Sequence, residues 1–243
     1  MKRITLTVVM ALVALVSTAQ TRKVQNKPYI DLRPLHFGIS LGMNLQDAEF
    51  RNVGPQVMDD GTTRTIACDV DIWNPGFSVG VLGDLRLSDN FNLRVSPTMH
   101  FGSRRLIFLD FDNVNAAGLP THSTQDLKNS YLAVPIDLKF SAQRFNNYRP
   151  YMIGGISPMV NLAGKDQDYV ALNRFDVMVN VGMGCDFYLP YFKLIPEIKF
   201  CYGLTNTLNK NHASELENAA SIPFARSVDD CRTKMFVFTL YFE

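Results

Sequence analysis

A serine and a histidine four residues apart are the residues whose types could do nucleophilic chemistry. Ser96 and His100 fall where polar and apolar residues alternate, so both are expected on the polar face of one strand. With a nearby carboxylate such a pair can form a nucleophile. Glu197 lies four predicted strands away, and both side chains are expected to face the interior of the fold. We therefore predict that the protein is not an enzyme. A small lipid-modifying enzyme is the alternative.

Charged residues of both signs recur on the same polar faces. Acids and bases that share an enclosed face are expected to pair, because an unpaired buried charge is costly. We predict an internal network of ion pairs that plugs the interior, formed by Arg86, Arg94, Asp137, Lys139, Asp186, Glu197 and Lys199. Its expected role is structural.

The chain gives no sign of a metal, a cofactor or a nucleic-acid partner. His36, His122 and His212 stand at a strand entry and in loops without the spacing of metal ligands. The 24 Lys+Arg and 23 Asp+Glu residues leave a net charge of +1, so nothing favours a polyanion.

Four cysteines are expected to pair if the chain is exported, which its first residues indicate below. Cys185 and Cys201 fall on adjacent predicted strands but on opposite faces, which disfavours a bridge. Cys68 lies in a predicted loop and Cys231 just before the last strand, which neighbours the first in a closed barrel. An external disulfide between Cys68 and Cys231 is the hypothesis, and two free thiols are the equal alternative.

The elements that position these residues are strands of period two. Phe37, Ile39, Leu41 and Met43 alternate with small and polar residues, and the pattern returns seven times. The predicted strands cover residues 37–46, 77–87, 91–101, 131–140, 151–162, 175–187, 192–202 and 234–242. Segments of about ten residues match a tilted crossing of a bilayer.

Loop lengths separate a membrane barrel from a soluble β-sandwich, which would alternate as well. The connections alternate between short ones (88–90, 141–148, 188–191) and long ones (51–75, 104–129, 163–173, 206–232). Short turns at one end and long loops at the other are the rule for outer-membrane barrels. The sequence thus predicts an all-β, eight-stranded antiparallel up-and-down transmembrane β-barrel, with both termini at the short-turn, periplasmic end.

The first residues read as an export signal. Lys2 and Arg3 precede an apolar run over 4–16 that is too short to span a bilayer, and small residues follow up to Ala19. The predicted organisation is a signal peptide over 1–19, a periplasmic segment over 20–34 and an outer-membrane barrel over 35–243. An uncleaved anchor helix is the alternative for the first segment.

Several stretches resemble the PorT family, outer-membrane barrels of the type IX secretion system in Bacteroidota. They are residues 31–44, 131–136 with Lys139, Arg149-Pro150-Tyr151 with Gly154 and Gly155, and residues 196–197 and 202–206. The resemblance implies an accessory role in exporting cargo proteins with C-terminal sorting domains, with outer-membrane lipid and other, unidentified secretion proteins as partners. The resemblance assigns no catalytic or binding residues to this chain.

The size of the barrel limits that role. Eight strands enclose an interior just wide enough for side chains to fill, so a protein cargo cannot pass through it. A structural or adhesive barrel whose external loops act is the alternative function.

Overall fold

Eight long antiparallel strands form the structure, a computed structural model that describes residues 26–58, 61–116, 118–162, 169–216 and 221–243. The expected signal peptide, residues 1–19, lies outside the described residues, as do residues 20–25. The strands are β1 (Leu35–Asn52), β2 (Thr63–Trp73 and Pro75–Arg86), β3 (Phe91–Val95 and Thr98–Val114), β4 (Pro120–Ala133 and Ile136–Ser141), β5 (Tyr148–Asn161), β6 (Phe175–Tyr188), β7 (Lys193–Gly203) and β8 (Val228–Phe242).

Proline explains two of the three interruptions within strands. Pro97 and Pro135 have no backbone N–H to give to the ladder, and β3 and β4 each break at one of them. The pairing register is the same on both sides of each break, so the two pieces act as one barrel strand.

Four short elements complete the described part of the chain. They are a 3-10 turn (Ile30–Leu32), a short strand (Pro55–Val57), helix α1 (His212–Glu215) and helix α2 (Ile222–Arg226). Across the described ranges, no helix combines the length and the apolar character needed to cross a membrane.

Each strand pairs with the next, and β8 pairs with β1, so the sheet closes. The stagger is found by moving from each residue to its direct partner on the next strand. Starting at Phe37 on β1, this path passes Gly83, Val95, Ile136, Ile156, Val179, Tyr202 and Lys234 and arrives at Asp47, again on β1. The circuit returns to β1 ten residues beyond its start. With the usual strand spacings, that stagger tilts the strands by about 40°. The predicted eight-stranded up-and-down barrel is confirmed.

The outer surface carries an apolar belt. On β1 the outward side chains from Leu35 to Leu45 are apolar and at least 37% exposed. At a tilt of about 40° these residues rise about 25 Å, which is the height of the apolar band of outer-membrane barrels. The outward assignment of Phe37, Ile39, Leu41 and Met43 agrees with the structure.

Two predicted long loops are wrong. Most of residues 51–75 and 104–129 belongs to β2, β3 and β4, which continue beyond the belt at the long-loop end. There the outward face is no longer uniformly apolar: Asp69 and Arg105 point outward, as does Phe111, while Ile66 and Phe108 point inward. Water replaces hydrocarbon outside these parts of the strands, so charged residues are tolerated on the outward face.

The interior has two levels. At the long-loop end it is an apolar core, in which α2 and the loops pack on the upper strands. Its fully buried members are Ala48, Ile66, Cys68, Leu106, Phe108, Leu127, Val170, Leu208, Val228 and Cys231. At the level of the belt the interior is polar and charged.

Candidate functional site in the barrel interior

Arg94 lies at the centre of the charged interior, with no exposed surface. Its guanidinium donates to Asp84 Oδ2 at 2.9 Å and to Glu197 Oε2 at 2.7 Å. Tyr151 Oη lies 3.2 Å from the same guanidinium and donates to Glu197 at 2.7 Å. One cation thus links carboxylates from β2 and β7, across the barrel from each other.

Alternating charges continue from this centre in both directions. Each member lies within 3.9 Å of the next, and we refer to the set as the ion-pair chain. In order it comprises His36, Glu243, Lys193, Asp186, Lys139, Asp84, Arg94, Glu197, Lys199 and Asp137. It runs from the short-turn end to the middle of the barrel. From Glu243 to Asp137, opposite charges at every step offset part of the desolvation of each group.

Six of the seven residues predicted for an internal network belong to this chain. The seventh prediction, Arg86, is wrong: its guanidinium bonds Asp89 in the exposed turn after β2. The strand ends at Arg86, so the side chain reaches water instead of the interior.

Four members of the ion-pair chain were missed. Asp84 and Lys193 carry the same signal as their predicted neighbours, because each alternates with outward apolar residues. His36 and Glu243 lie at opposite ends of the sequence and meet only when β8 closes on β1.

Glu243 closes the seam between the first and last strands at the short-turn end. His36 Nδ1 lies 2.6 Å from Glu243 Oε1, and Lys193 donates to Oε2 at 2.9 Å. Burial raises the pKa of the Glu243 carboxyl, but the bond from His36 and the attraction of Lys193 outweigh it and hold the pKa below its ordinary range. The carboxylate is therefore charged in this position.

Residues 26–34 cover the short-turn end. Asn26 donates to the carbonyl of Tyr188 at 3.0 Å, and Tyr188 Oη donates to Asp31 at 2.7 Å. The Arg144 guanidinium lies 3.4 Å from the centre of the Tyr188 ring and donates to the carbonyl of Lys27 at 3.0 Å. This segment is thus bound across the mouth of the barrel.

A polar layer separates the ion-pair chain from the apolar core. Arg104, 1% exposed, donates to Tyr131 Oη at 2.9 Å and to the carbonyl of Asp47 at 3.0 Å. With its amide oxygen turned inward, Asn129 accepts from Arg104 Nε at 2.8 Å. Neutral acceptors on β1 and β4 therefore satisfy this guanidinium.

The structure does not bring Ser96, His100 and Glu197 together. His100 Nδ1 shares a hydrogen bond of 2.7 Å with Ser78 Oγ, while Ser96 Oγ has no partner. Glu197 is bound to Arg94, Lys199 and two tyrosines instead. Within the described ranges, no three His, Cys, Asp or Glu side chains are grouped to hold a metal ion.

All four cysteines are free in the structure. Cys68 and Cys231 are buried in the apolar core, on the two strands that flank β1, so their expected position outside the barrel is wrong. No regular ladder joins this part of β2 to β1, and the two thiols lie in the same core without a bond between them. Pairing of Cys68 with Cys231 stays a prediction that requires local movement.

A comparison with protein families agrees with the closed sheet. A family model described as "Outer membrane protein beta-barrel domain" matches residues 18–209. A search of curated proteins found no match.

Three solved structures resemble this one. Neisserial surface protein A, from Neisseria, has 10% identity and a TM-score of 0.43, covering 86% of this chain and 98% of its own. OprG from Pseudomonas aeruginosa has 12% identity and a TM-score of 0.47, covering 85% and 93%. Ail of Yersinia pestis, solved with the heparin analogue sucrose octasulfate, has 14% identity and a TM-score of 0.34, covering 85% and 96%.

Proposed function

The chain belongs to the outer membrane protein β-barrel domain family, and from that premise we propose that it is an accessory component of type IX protein secretion. In this role it is needed for the export of cargo with C-terminal sorting domains but is not the conduit. It sits in outer-membrane lipid, with both termini and the short-turn end in the periplasm. It has no catalytic role.

The filled interior is the observation that supports an accessory role. The ion-pair chain occupies the belt level, the buried Arg104 lies beyond it, and the apolar core fills the long-loop end. An extended polypeptide needs an open channel, and eight-stranded barrels leave room only for their own side chains. The protein therefore acts through its surfaces.

The resemblance of its sequence to the PorT family indicates which process those surfaces serve. The resembling stretches lie on the barrel and just before it: residues 31–44 lead into β1, and residues 131–136 lie around the break in β4. The segment 26–34, bound across the short-turn mouth, offers periplasmic partners a folded surface.

Gene deletion tests this function. Cells that lack the protein should retain sorting-domain cargo in the periplasm, and a plasmid copy should restore secretion. An outer-membrane protein without a sorting domain, assembled normally in the same cells, controls for general damage to the membrane. Normal secretion of the cargo in the deletion strain would refute the proposal.

The second candidate function is adhesion or support at the cell surface, and the long-loop end favours it. Above the belt, β1 and β2 border a groove of about 520 Å³ whose lining includes Asp47, Glu49, Asp69 and Lys234. A folded, charged surface of this kind can hold an external partner. Under this alternative, deletion leaves secretion unchanged and weakens attachment.

A third possibility, lipid modification, has a direct test. The intact protein would have to change a lipid, and Ser96→Ala or His100→Ala would have to abolish the change. We expect lipid extracts from cells with the protein, without it and with either variant to be the same.

A further inference from the structure

A small cavity in the barrel interior is lined by the side chains that soft metal ions prefer. His100, Met159, Cys201 and Met235 border it, together with Ser96 and Lys199. Its volume is about 20 Å³. A cavity of this size holds one water-sized occupant.

The four candidate ligands come from four strands. His100 lies on β3, Met159 on β5, Cys201 on β7 and Met235 on β8, and all four are at most 5% exposed. Cys201 and Met235 are direct partners across the β7–β8 ladder. The four side chains that line this cavity are therefore all supplied by strands, without any loop.

Sulfur is segregated to this place. Among the methionines on described strands, three point inward, namely Met159, Met178 and Met235, and all pack in one cluster with Cys201. The others, such as Met152 and Met183, face the membrane. The rest of the belt-level interior is largely polar, so this cluster is a local exception.

His100 makes a hydrogen bond through one ring nitrogen, as histidine metal ligands usually do. Its Nδ1 is engaged with Ser78 Oγ at 2.7 Å, and Asn44 Nδ2 donates to the same oxygen at 2.8 Å. Ser78 Oγ can accept both bonds, which leaves His100 Nε2 as the ligating nitrogen. A hydrogen bond to the second nitrogen is the usual support of a histidine ligand. Ser96 Oγ, 1% exposed and without a partner, borders the cavity as well.

Charge selects the ion. Lys199 borders the cavity, and its ammonium is already balanced by Asp137 at 2.7 Å and Glu197 at 3.2 Å. A monovalent ion bound to the Cys201 thiolate adds no net charge beside it, whereas a divalent ion adds one positive charge. Soft thiolate and thioether ligands select Cu(I), zinc or iron–sulfur clusters, and of these Cu(I) is the monovalent ion.

We propose that His100, Met159, Cys201 and Met235 form a buried site for one soft monovalent cation, Cu(I), with Ag(I) as its close substitute. Binding deprotonates the Cys201 thiol and releases one proton to water. Three sulfur atoms and one imidazole nitrogen satisfy the ion. The site is independent of the role in secretion.

Metal retention by the full-length protein in detergent tests the site. Cu(I), kept reduced by ascorbate, is offered both to the folded protein and during refolding, because the site is buried. After gel filtration we expect about one equivalent of copper per chain in at least one arm, with copper–sulfur bonds in its X-ray absorption spectrum. Absence of retained copper in both arms would overturn the proposal.

Matched variants locate the ion. Cys201→Ser and Met235→Leu should lose the retained equivalent, whereas Cys185→Ser and Met183→Leu, on outward-facing positions, should keep it. Ser78→Ala should weaken binding about 10- to 100-fold, as expected for a residue that orients a ligand. Gel mobility shows whether each variant folds. If Cys201→Ser does not fold, the copper retention of Met235→Leu tests the site instead. Equal loss in the inward and outward variants would refute this location.

Discussion

Replacing Arg94 by methionine tests whether the barrel depends on its ion-pair chain. Methionine fills much of the same volume without charge. In the natural protein the Arg94 guanidinium lies 2.9 Å from Asp84 and 2.7 Å from Glu197. The variant leaves both carboxylates buried without this shared cation. We expect a large loss of stability, because the loss of one partner strands the other charges.

The remaining contacts set the size of the loss. Asp84 keeps Lys139 at 3.9 Å and Asn92 at 2.6 Å, and Glu197 keeps Lys199 at 3.2 Å. Breaking a buried pair costs about 3–5 kcal/mol. With these partial partners left, we expect a value near the lower limit, about 3 kcal/mol.

Urea unfolding in phospholipid vesicles measures the loss, with the folded fraction read from gel mobility. Arg105→Met is the matched control: Arg105 is also on β3, but its pair with Asp126 is exposed, so the change should be negligible. Adding Asp84→Asn and Glu197→Gln to Arg94→Met should restore most of the stability, since no charge is then stranded. The reasoning fails if Arg94→Met costs no more than Arg105→Met.

Three further predictions concern the seam, the thiols and one glycine. Because the pKa of Glu243 is lowered in the folded protein, the stability that its carboxylate contributes is present above pH 4.5 and disappears as the pH falls further. Between about pH 5 and about pH 3, urea unfolding should show a larger loss of stability in the natural protein than in Glu243→Gln, and equal losses would contradict this. Cys68 and Cys231 should both react with an alkylating agent in unfolded, unreduced protein if they are free as in the structure, and a linked peptide in non-reducing mapping would show the disulfide instead. Gly155→Ala should lower the free energy of unfolding by about 1–3 kcal/mol, because its Cβ would meet the carbonyl oxygen of Ile136 at 2.1 Å. Gly154→Ala is the control: its Cβ would have its nearest atom at 3.6 Å, so this variant should unfold at nearly the same urea concentration as the natural protein.

The membrane-facing part of the fold could be predicted from the sequence. Between Leu35 and Leu45, hydrocarbon outside and polar groups inside impose strict alternation, and the strand follows from it. The same constraint acts on all eight strands, so the sequence correctly predicts their number and the side chains that face outward.

Beyond the belt the same rule gave the wrong result. The prediction looked for a uniformly apolar outward face, and in Thr63–Trp73 and the upper half of β3 that face is mixed. Asp69 and Arg105 point outward there, but so does Phe111, and Arg104 and Asp110 are buried on the inward face. The sequence alone does not indicate where water replaces lipid, so it predicts loops where the structure has these strands.

The partners within the ion-pair chain could not be predicted. Alternation shows that Arg94 and Glu197 point inward, but their contact across the barrel depends on the stagger of the whole ring. The Cu(I) site depends on the same stagger. Methionine and cysteine at inward positions look like ordinary core residues until four strands bring them to one cavity.

The ion-pair chain has a consequence for strand register that an apolar interior would lack. Asp84 and Arg94 are direct partners across the β2–β3 ladder. A slip of one residue turns every side chain of a strand to the other face, so Arg94 would enter the hydrocarbon. An arginine there costs about 2–4 kcal/mol at the bilayer midplane, and the stranded carboxylates cost more. Buried charges that add little net stability therefore exclude misaligned barrels. Arg94→Met with both carboxylates neutralised should then fold stably but with a larger misfolded fraction, measurable as protein that never reaches the folded mobility on gels.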